Sequence, residues 1–268
     1  MRSQLRNAVN SLLKPLGIEL RRIDSPRLFP RVYADTLNEL LGAFHELGLS
    51  PLPADDRRLG LMMQLMGAKV SQSIYLMEYL RKSFDVAGDV CEFGVAAGAT
   101  SALIANEMRA TDKKLWLFDS FQGLPKPTAK DRLLDDILEL GSMDRYEGAM
   151  SFDRTHVEGR LREIDFPESR TVIVPGFIED TLGKEPVPSR ISFSYVDLDL
   201  YEPIRLALEF LHGVTTPGGF IMVDDYGFLS EGAKIAVDEF LHAHASRYEK
   251  ISSLPFAGPF AILHKRTM

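Results

Sequence analysis

From Gly88 onward, short apolar runs alternate with glycine-bearing turns and amphipathic stretches. The runs Asp89–Phe93, Leu115–Asp119, Thr171–Val174, Ile191–Asp197 and Gly219–Asp224 are predicted strands, and Ala99–Arg109, Pro203–Leu211 and Lys234–His244 are predicted helices. Such alternation predicts an α/β fold with a doubly wound, mostly parallel sheet wrapped by helices. Lys250–Leu254 and Pro259–His264 add one or two further strands. Between the second and third strands runs an overlong connection, Gln122 to Arg170, carrying Lys126, Lys130, Asp135, Asp136, Tyr146 and His156. Connections of that length form lids or binding loops, or are helical insertions with solvated charges.

Upstream, Val32 to Lys82 reads as a helical pre-domain, with one helix predicted over Leu59–Leu80 and a turn at Pro51, Pro53, Asp55 and Asp56 leading into it. Met62, Met63, Met66 and Met77 read as core fillers. The first segment is basic, with Arg2, Arg6, Lys14, Arg21, Arg22, Arg27 and Arg31 against Glu19 and Asp24, and it carries a stripe of Leu5, Val9, Leu12, Leu13 and Leu16. It is expected to be an amphipathic arm over 1–50 packed on the body or on a partner subunit, ahead of a second domain over 51–268; weak adhesion to an anionic membrane is the alternative.

Composition narrows the function. A net charge of -7 with no long basic block argues against nucleic acid as the partner. No stretch is long and apolar enough to span a bilayer and no secretory signal opens the chain, so membrane association is not expected. The lone cysteine, Cys91, sits inside a strand, which fits a reducing cytoplasm. His212 and His264 lie in apolar elements and read as structural, His242 and His244 face different ways on one helix, and His45 falls in the pre-domain. His156 is either an acceptor contact or a solvated loop histidine.

The chemistry concentrates in acidic residues. Asp197 and Asp199, and then Asp224 and Asp225, each close a run that reads as a buried strand. In neighbouring parallel strands these side chains converge at the carboxyl end of the sheet, where open α/β folds bind ligands. Carboxylates packed together repel unless something positive lies between them, and a divalent cation is the simplest such partner. The turn after the first strand, Glu92 to Gly98, is not a dinucleotide fingerprint, because Ala96 stands where the second glycine is needed. Asp119 ends the second strand beside that turn, where a carboxylate grips ribose hydroxyls or else caps a helix. Glu92 and Asp119 together describe a pocket for a nucleoside without phosphates, of which S-adenosylmethionine is an example.

The phrases Phe118-Asp-Ser-Phe-Gln-Gly-Leu-Pro125, Gly176-Phe-Ile-Glu-Asp-Thr-Leu182, Asp197-Leu-Asp-Leu-Tyr-Glu202 and Thr216-Pro-Gly-Gly-Phe-Ile-Met-Val-Asp-Asp-Tyr226 resemble the macrocin O-methyltransferase family, which includes the mycinamicin and aminocoumarin sugar methyltransferases. The resemblance runs from about Leu61 to His264; it departs from the family's Trp-Arg-Gly-Gly wording at Val95, Ala96 and Ala97. It implies a class I S-adenosylmethionine-dependent methyltransferase domain with a helical lid, acting on a sugar hydroxyl of a glycoside or polysaccharide precursor, and a homodimer or higher homo-oligomer. It further implies Mg²⁺ held by Asp197, Asp224 and Asp225, with Asp199 as the base beside the metal. Cofactor contacts implied by position are Met63, Glu92, Gly94, Val95, Ala96, Asp119, Ser120, Phe121, Gln122, Gly123, Ser151 and Ile178. Two other readings compete: an Asp-x-Asp glycosyltransferase binding a nucleotide sugar through a metal at Asp197 and Asp199, and a non-catalytic oligomeric binding protein with the same fold.

Overall fold

In the computed structural model, residues 28–65, 67–184 and 186–267 are described. Most of the basic arm, up to position 27, and Met66 therefore lie outside the described residues. The chain divides into two compact units with the boundary between Pro51 and Leu52. In the first, helix α1 spans Leu28–Glu46.

The second unit opens with α2 (Asp56–Met62) and α3 (Val70–Lys82). The single helix predicted over Leu59–Leu80 is thus two helices. The first ends at Met62, capped by Met63, and Gly67 takes a left-handed φ of 83° in the connection that follows. Asp55 caps α2 by accepting from the backbone N–H groups of Arg57 and Arg58 at 2.9 and 3.2 Å. Met62 and Met77 are buried as core residues, whereas Met63 is exposed.

Seven strands form one sheet in the order β3-β2-β1-β4-β5-β7-β6. β1 (Asp89–Phe93), β2 (Leu115–Asp119), β3 (Thr171–Pro175), β4 (Ile191–Val196) and β5 (Thr215–Val223) are mutually parallel. β7 (Ala261–Lys265) is antiparallel to both β5 and β6 (Tyr248–Ile251). The connecting helices are α4 (Ala99–Glu107), α5 (Arg154–Glu163), the single turn α6 (Ile178–Thr181), α7 (Tyr201–Val214) and α8 (Glu231–Ala243). α7 starts two residues before Pro203, which is compatible because the first turn's N–H groups have no intrahelical partner.

Alternation along the strands sorts side chains onto two faces. Cys91, Phe93, Trp116, Phe118, Ile221 and Val223 join one apolar cluster with Ile204, Leu208 and Leu211 of α7 and with Ala236, Val237 and Phe240 of α8. The intervening residues turn the other way, where Ser101 of α4 bonds Glu92 and Gln72 of α3 bonds Tyr195. Burying both faces explains why these strands read as continuous apolar runs.

Candidate active site

The parallel ladder continues past the strands and lines up their exits: Gly94 N–H donates to Phe118 O, Asp197 N–H to Phe93 O and Asp224 N–H to Val196 O, each at 2.8 Å. At those exits the backbone is forced into left-handed conformations, with φ of 46° at Ala96, 55° at Phe121, 61° at Asp199 and 53° at Asp225. Such conformations cost energy in residues bearing a Cβ and concentrate where function needs them. At Gly94 (φ 80°) an added Cβ would fall 1.7 Å from the Asp197 carbonyl oxygen, so only glycine lets the first turn pass against β4.

These exits open into a cavity of about 350 Å³. Of the residues singled out in the sequence, Gly94, Val95, Ala96, Asp119, Ser120, Gly123, Ile178, Asp197, Asp199, Asp224 and Asp225 line it together. Met63, Glu92, Phe121, Gln122 and Ser151 do not. Met63 is exposed before α3, and Phe121 instead offers its carbonyl to Ser151 Oγ at 3.2 Å. Gln122 N–H donates to Ser120 Oγ at 3.0 Å. His156 lies in the first turn of α5, with Nδ1 3.0 Å from Asp153 O, and is also outside the lining.

Asp119 organises the first turn: its Oδ2 accepts from the N–H groups of Val95 and Ala96 at 2.6 and 2.9 Å, and its Oδ1 from Phe121 N–H at 2.6 Å. Behind the turn, Glu92 is fully buried; Ser101 Oγ donates to its Oε2, while Oε1 has no hydrogen-bond partner. Burial pushes its carboxyl up to about 8, against the Ser101 hydrogen bond, with the Asp119 charge adding to the rise. The orphaned Glu92 Oε1 behind the turn and the Gly94 cradle that a Cβ would fill leave room for a ligand that brings a hydrogen-bond donor to this end, as the ammonium of S-adenosylmethionine does.

Asp197, Asp199 and Asp225 each offer an oxygen within 4.8 Å of the others. Burial and the charges of Asp224, Asp225 and Glu92 drive the Asp197 carboxyl well above the usual range. Burial likewise pushes Asp199 up to about 7 and Asp225 up to about 11, the latter also bonded to the Asp199 carboxylate. Three half-buried carboxylates at this spacing, countered in part by the Lys69 charge at Asp225, are the hard oxygen donors a divalent cation takes. Asp224 stands slightly apart: Tyr195 OH donates to its Oδ2, and Asp225 N–H donates to Oδ1 at 2.7 Å.

The long connection covers the cavity. Leu124, Met143 and Tyr146 pack with Leu200 and Leu229, and Ile137 and Leu138 line the cavity while 44% and 43% exposed. Buried Asp131 anchors the connection, accepting from Tyr201 N–H at 2.6 Å and from Thr128 N–H and Oγ at 2.7 and 2.8 Å. Sequence reasoning missed Asp131, Ile137 and Leu138, because nothing local marks them. Phe177 and Glu179, also lining residues, stood inside a quoted phrase and were legible there.

This sheet order, with its glycine turn after β1 and acidic residue at the end of β2, defines a class I S-adenosylmethionine-dependent methyltransferase fold. The chain belongs to the macrocin O-methyltransferase (TylF) family, whose sequence profile matches residues 62–253. It is similar to the 8-demethyl-8-(2,3-dimethoxy-alpha-L-rhamnosyl)-tetracenomycin-C 4'-O-methyltransferase of Streptomyces olivaceus, at 30% identity over 181 residues, 65% of this chain and 66% of the relative. It is also similar to the demethyldecarbamoylnovobiocin O-methyltransferase of Streptomyces niveus, at 30% identity over 159 residues, 58% of this chain and 59% of the relative. The matches thus span just under two thirds of the first relative's length and less of the second's. Among solved structures, the O-methyltransferase NovP superposes with a TM-score of 0.64 at 22% identity, covering 89% of this chain and 100% of NovP.

Proposed function

We propose that this protein transfers a methyl group from S-adenosylmethionine to a hydroxyl of a sugar-bearing small molecule, with a divalent cation, Mg²⁺, at the carboxylate cluster. The observation that carries this reading is the meeting, in one cavity, of the Gly94 turn and Asp119 with four aspartates from the exits of two adjacent strands. When bound, the sulfonium supplies an electrophilic methyl group and the cation lowers the pKa of a coordinated hydroxyl.

The chain's own part is to bind, orient and take up a proton. Asp119 and the Gly94 turn would hold the nucleoside end, while Asp197, Asp224 and Asp225 would hold the cation. Asp199, whose left-handed backbone projects it beside that set, accepts the acceptor's proton; a positioned base of this kind contributes about 10²- to 10⁴-fold. Fixing the acceptor oxygen by the same carboxylates removes orientational freedom. The cavity lining carries Asp119, Glu179 and the four aspartates, with no lysine, arginine or histidine among its described residues. With Ile137 and Leu138 on its rim, it suits an uncharged acceptor with an apolar portion, in keeping with the tetracenomycin glycoside named for the relative. Action as a homo-oligomer in the cytoplasm, with no nucleic-acid partner, belongs to the same reading.

One observation favours a variant of the ligand set: Asp199, and not Asp224, completes the triad within 4.8 Å. The two assignments part in one experiment. Asp199→Asn should bind metal and S-adenosylhomocysteine yet turn over about 10²-fold or more slowly if it is the base, whereas Asp224→Asn should lose metal affinity. Loss of metal affinity in Asp199→Asn, with Asp224→Asn unaffected, would exchange the two roles. Calorimetric titration of S-adenosylhomocysteine should show binding with Mg²⁺ and after chelation, and no response to uridine diphosphate; the reverse pattern would favour the glycosyltransferase.

A further inference from the structure

We propose that Tyr195 and Gln72 are positioning residues for the metal cluster, holding Asp224 from behind the sheet and thereby setting metal affinity. This inference rests on the carboxylates being a metal site. Tyr195 lies on β4 two residues before Asp197, and its side chain is fully buried on the α3 face of the sheet. A phenylalanine would fill the same volume; the hydroxyl is justified only by its partners, because burying it unpaired is costly. Those partners are specific: the hydroxyl donates to Asp224 Oδ2 and accepts from Gln72 Nε2 at 3.2 Å. The Gln72 carboxamide is itself buried. With Oδ1 accepting Asp225 N–H at 2.7 Å, both Asp224 oxygens are held by hydrogen bonds.

The hold extends to a rigid frame. Ser71, beside Gln72 on α3, donates from Oγ to Ala257 O at 2.7 Å, and Leu254 N–H donates to Tyr75 OH at 2.9 Å. Gly258 lets the loop between β6 and β7 close on Gln72, since a Cβ there would meet Gln72 Oε1 at 3.3 Å. The same loop accepts Tyr226 N–H at Pro259 O, 2.7 Å, directly after Asp225. α3 and this loop, bonded to each other, therefore each also bond to the Tyr195-Asp224-Tyr226 neighbourhood. Partners that orient a metal-binding carboxylate are worth about 10- to 100-fold in metal affinity.

The test is calorimetric titration of Mn²⁺ into the full chain as wild type, Tyr195→Phe and Gln72→Ala, with S-adenosylhomocysteine titration and thermal melting run on each. Tyr195→Phe should bind Mn²⁺ about 10-fold or more weakly, and Gln72→Ala should move the same way by a smaller factor. S-adenosylhomocysteine affinity should be unchanged in both, a separation that a merely loosened core would not give. A folded Tyr195→Phe with wild-type Mn²⁺ affinity overturns the proposal. If Tyr195→Phe does not fold, wild-type Mn²⁺ affinity in Gln72→Ala overturns it equally. Absence of Mn²⁺ binding by the wild type would instead remove the metal reading, and this inference with it.

Discussion

Glu92 places a carboxyl in the interior with one oxygen unpartnered, and the rise of that carboxyl to about 8 has a measurable consequence. In the unfolded chain a glutamate titrates near about 4.3, so the folded chain binds the proton more tightly. The stability this contributes is fully present below the unfolded value and is lost as pH rises through about 8. Glu92→Gln keeps an acceptor for Ser101 and removes the titration. In the ligand-free protein it should be no more stable than wild type at acidic pH but more stable at about pH 9, by on the order of 5 kcal/mol, the linkage energy of a carboxyl raised from about 4.3 to about 8. Melting both proteins across pH gives the difference curve, which carries the Glu92 titration together with its charge coupling to Asp197; a flat difference would show that Glu92 does not titrate in this range. The importance of Glu92 was legible in its place before the glycine turn, but its depth was not. Residue identity locates a carboxyl along a strand, whereas the packing of α4 decides whether it lines the cavity or lies behind it. Asp199 and Asp225 show the complementary limit: their chemistry was readable from spacing, while their left-handed backbone, which aims them, belongs to the turns around them.

Among elements, the long connection between β2 and β3 carries the largest share of what the sequence left unread. Its length announced a covering segment, yet the residue that fastens it, Asp131, is one acid among many in the string. Asp131 gains its role only from the N-terminus of α7, whose free Tyr201 N–H it accepts at 2.6 Å, and from Gly232 of α8, where a Cβ would fall 1.9 Å from its Oδ1. The neighbouring backbone adds Leu134 N–H to Leu229 O at 2.9 Å and Glu231 N–H to Arg132 O at 3.0 Å. Asp131→Ala leaves the buried Tyr201 N–H without an acceptor, at a cost of about 1–3 kcal/mol, and frees the exposed Thr128. The connection should then be cleaved faster by a protease than in wild type, with the rest of the unit intact, and added S-adenosylhomocysteine should slow the cleavage. Cleavage at the wild-type rate would mean that the apolar contacts of Leu124, Met143 and Tyr146 hold the connection by themselves. The split between α2 and α3 follows the same logic: apolar periodicity ran unbroken through Leu59–Leu80, while the chain leaves the helix after Met62 and turns through a left-handed Gly67 before α3 begins.

At the scale of the whole molecule, the parallel order β3-β2-β1-β4-β5 brings residues that lie far apart in the chain to one edge of the sheet. The alternation of strand and helix makes that edge readable in the sequence, because parallel strands with right-handed crossovers put their exits together. The proposed cofactor and metal halves are also in physical contact there, since Gly94 passes so closely against the Asp197 carbonyl that no Cβ fits between them. Two ligands in contiguous halves of one cavity are expected to be coupled. S-adenosylhomocysteine at about 100 times its Kd should stabilise the folded state by about 2.7 kcal/mol, roughly 5–10 °C in Tm for a chain of this size. Saturating Mn²⁺ should add its own increment, and the two together should exceed the sum of the separate shifts, because a fixed Gly94 turn also fixes the backbone from which Asp197 projects. Thermal melting with each ligand and with both measures this directly. A joint shift equal to the sum would mean that the two halves share a cavity without sharing a conformational change, and the close packing of Gly94 on Asp197 would then serve only to seat the first turn.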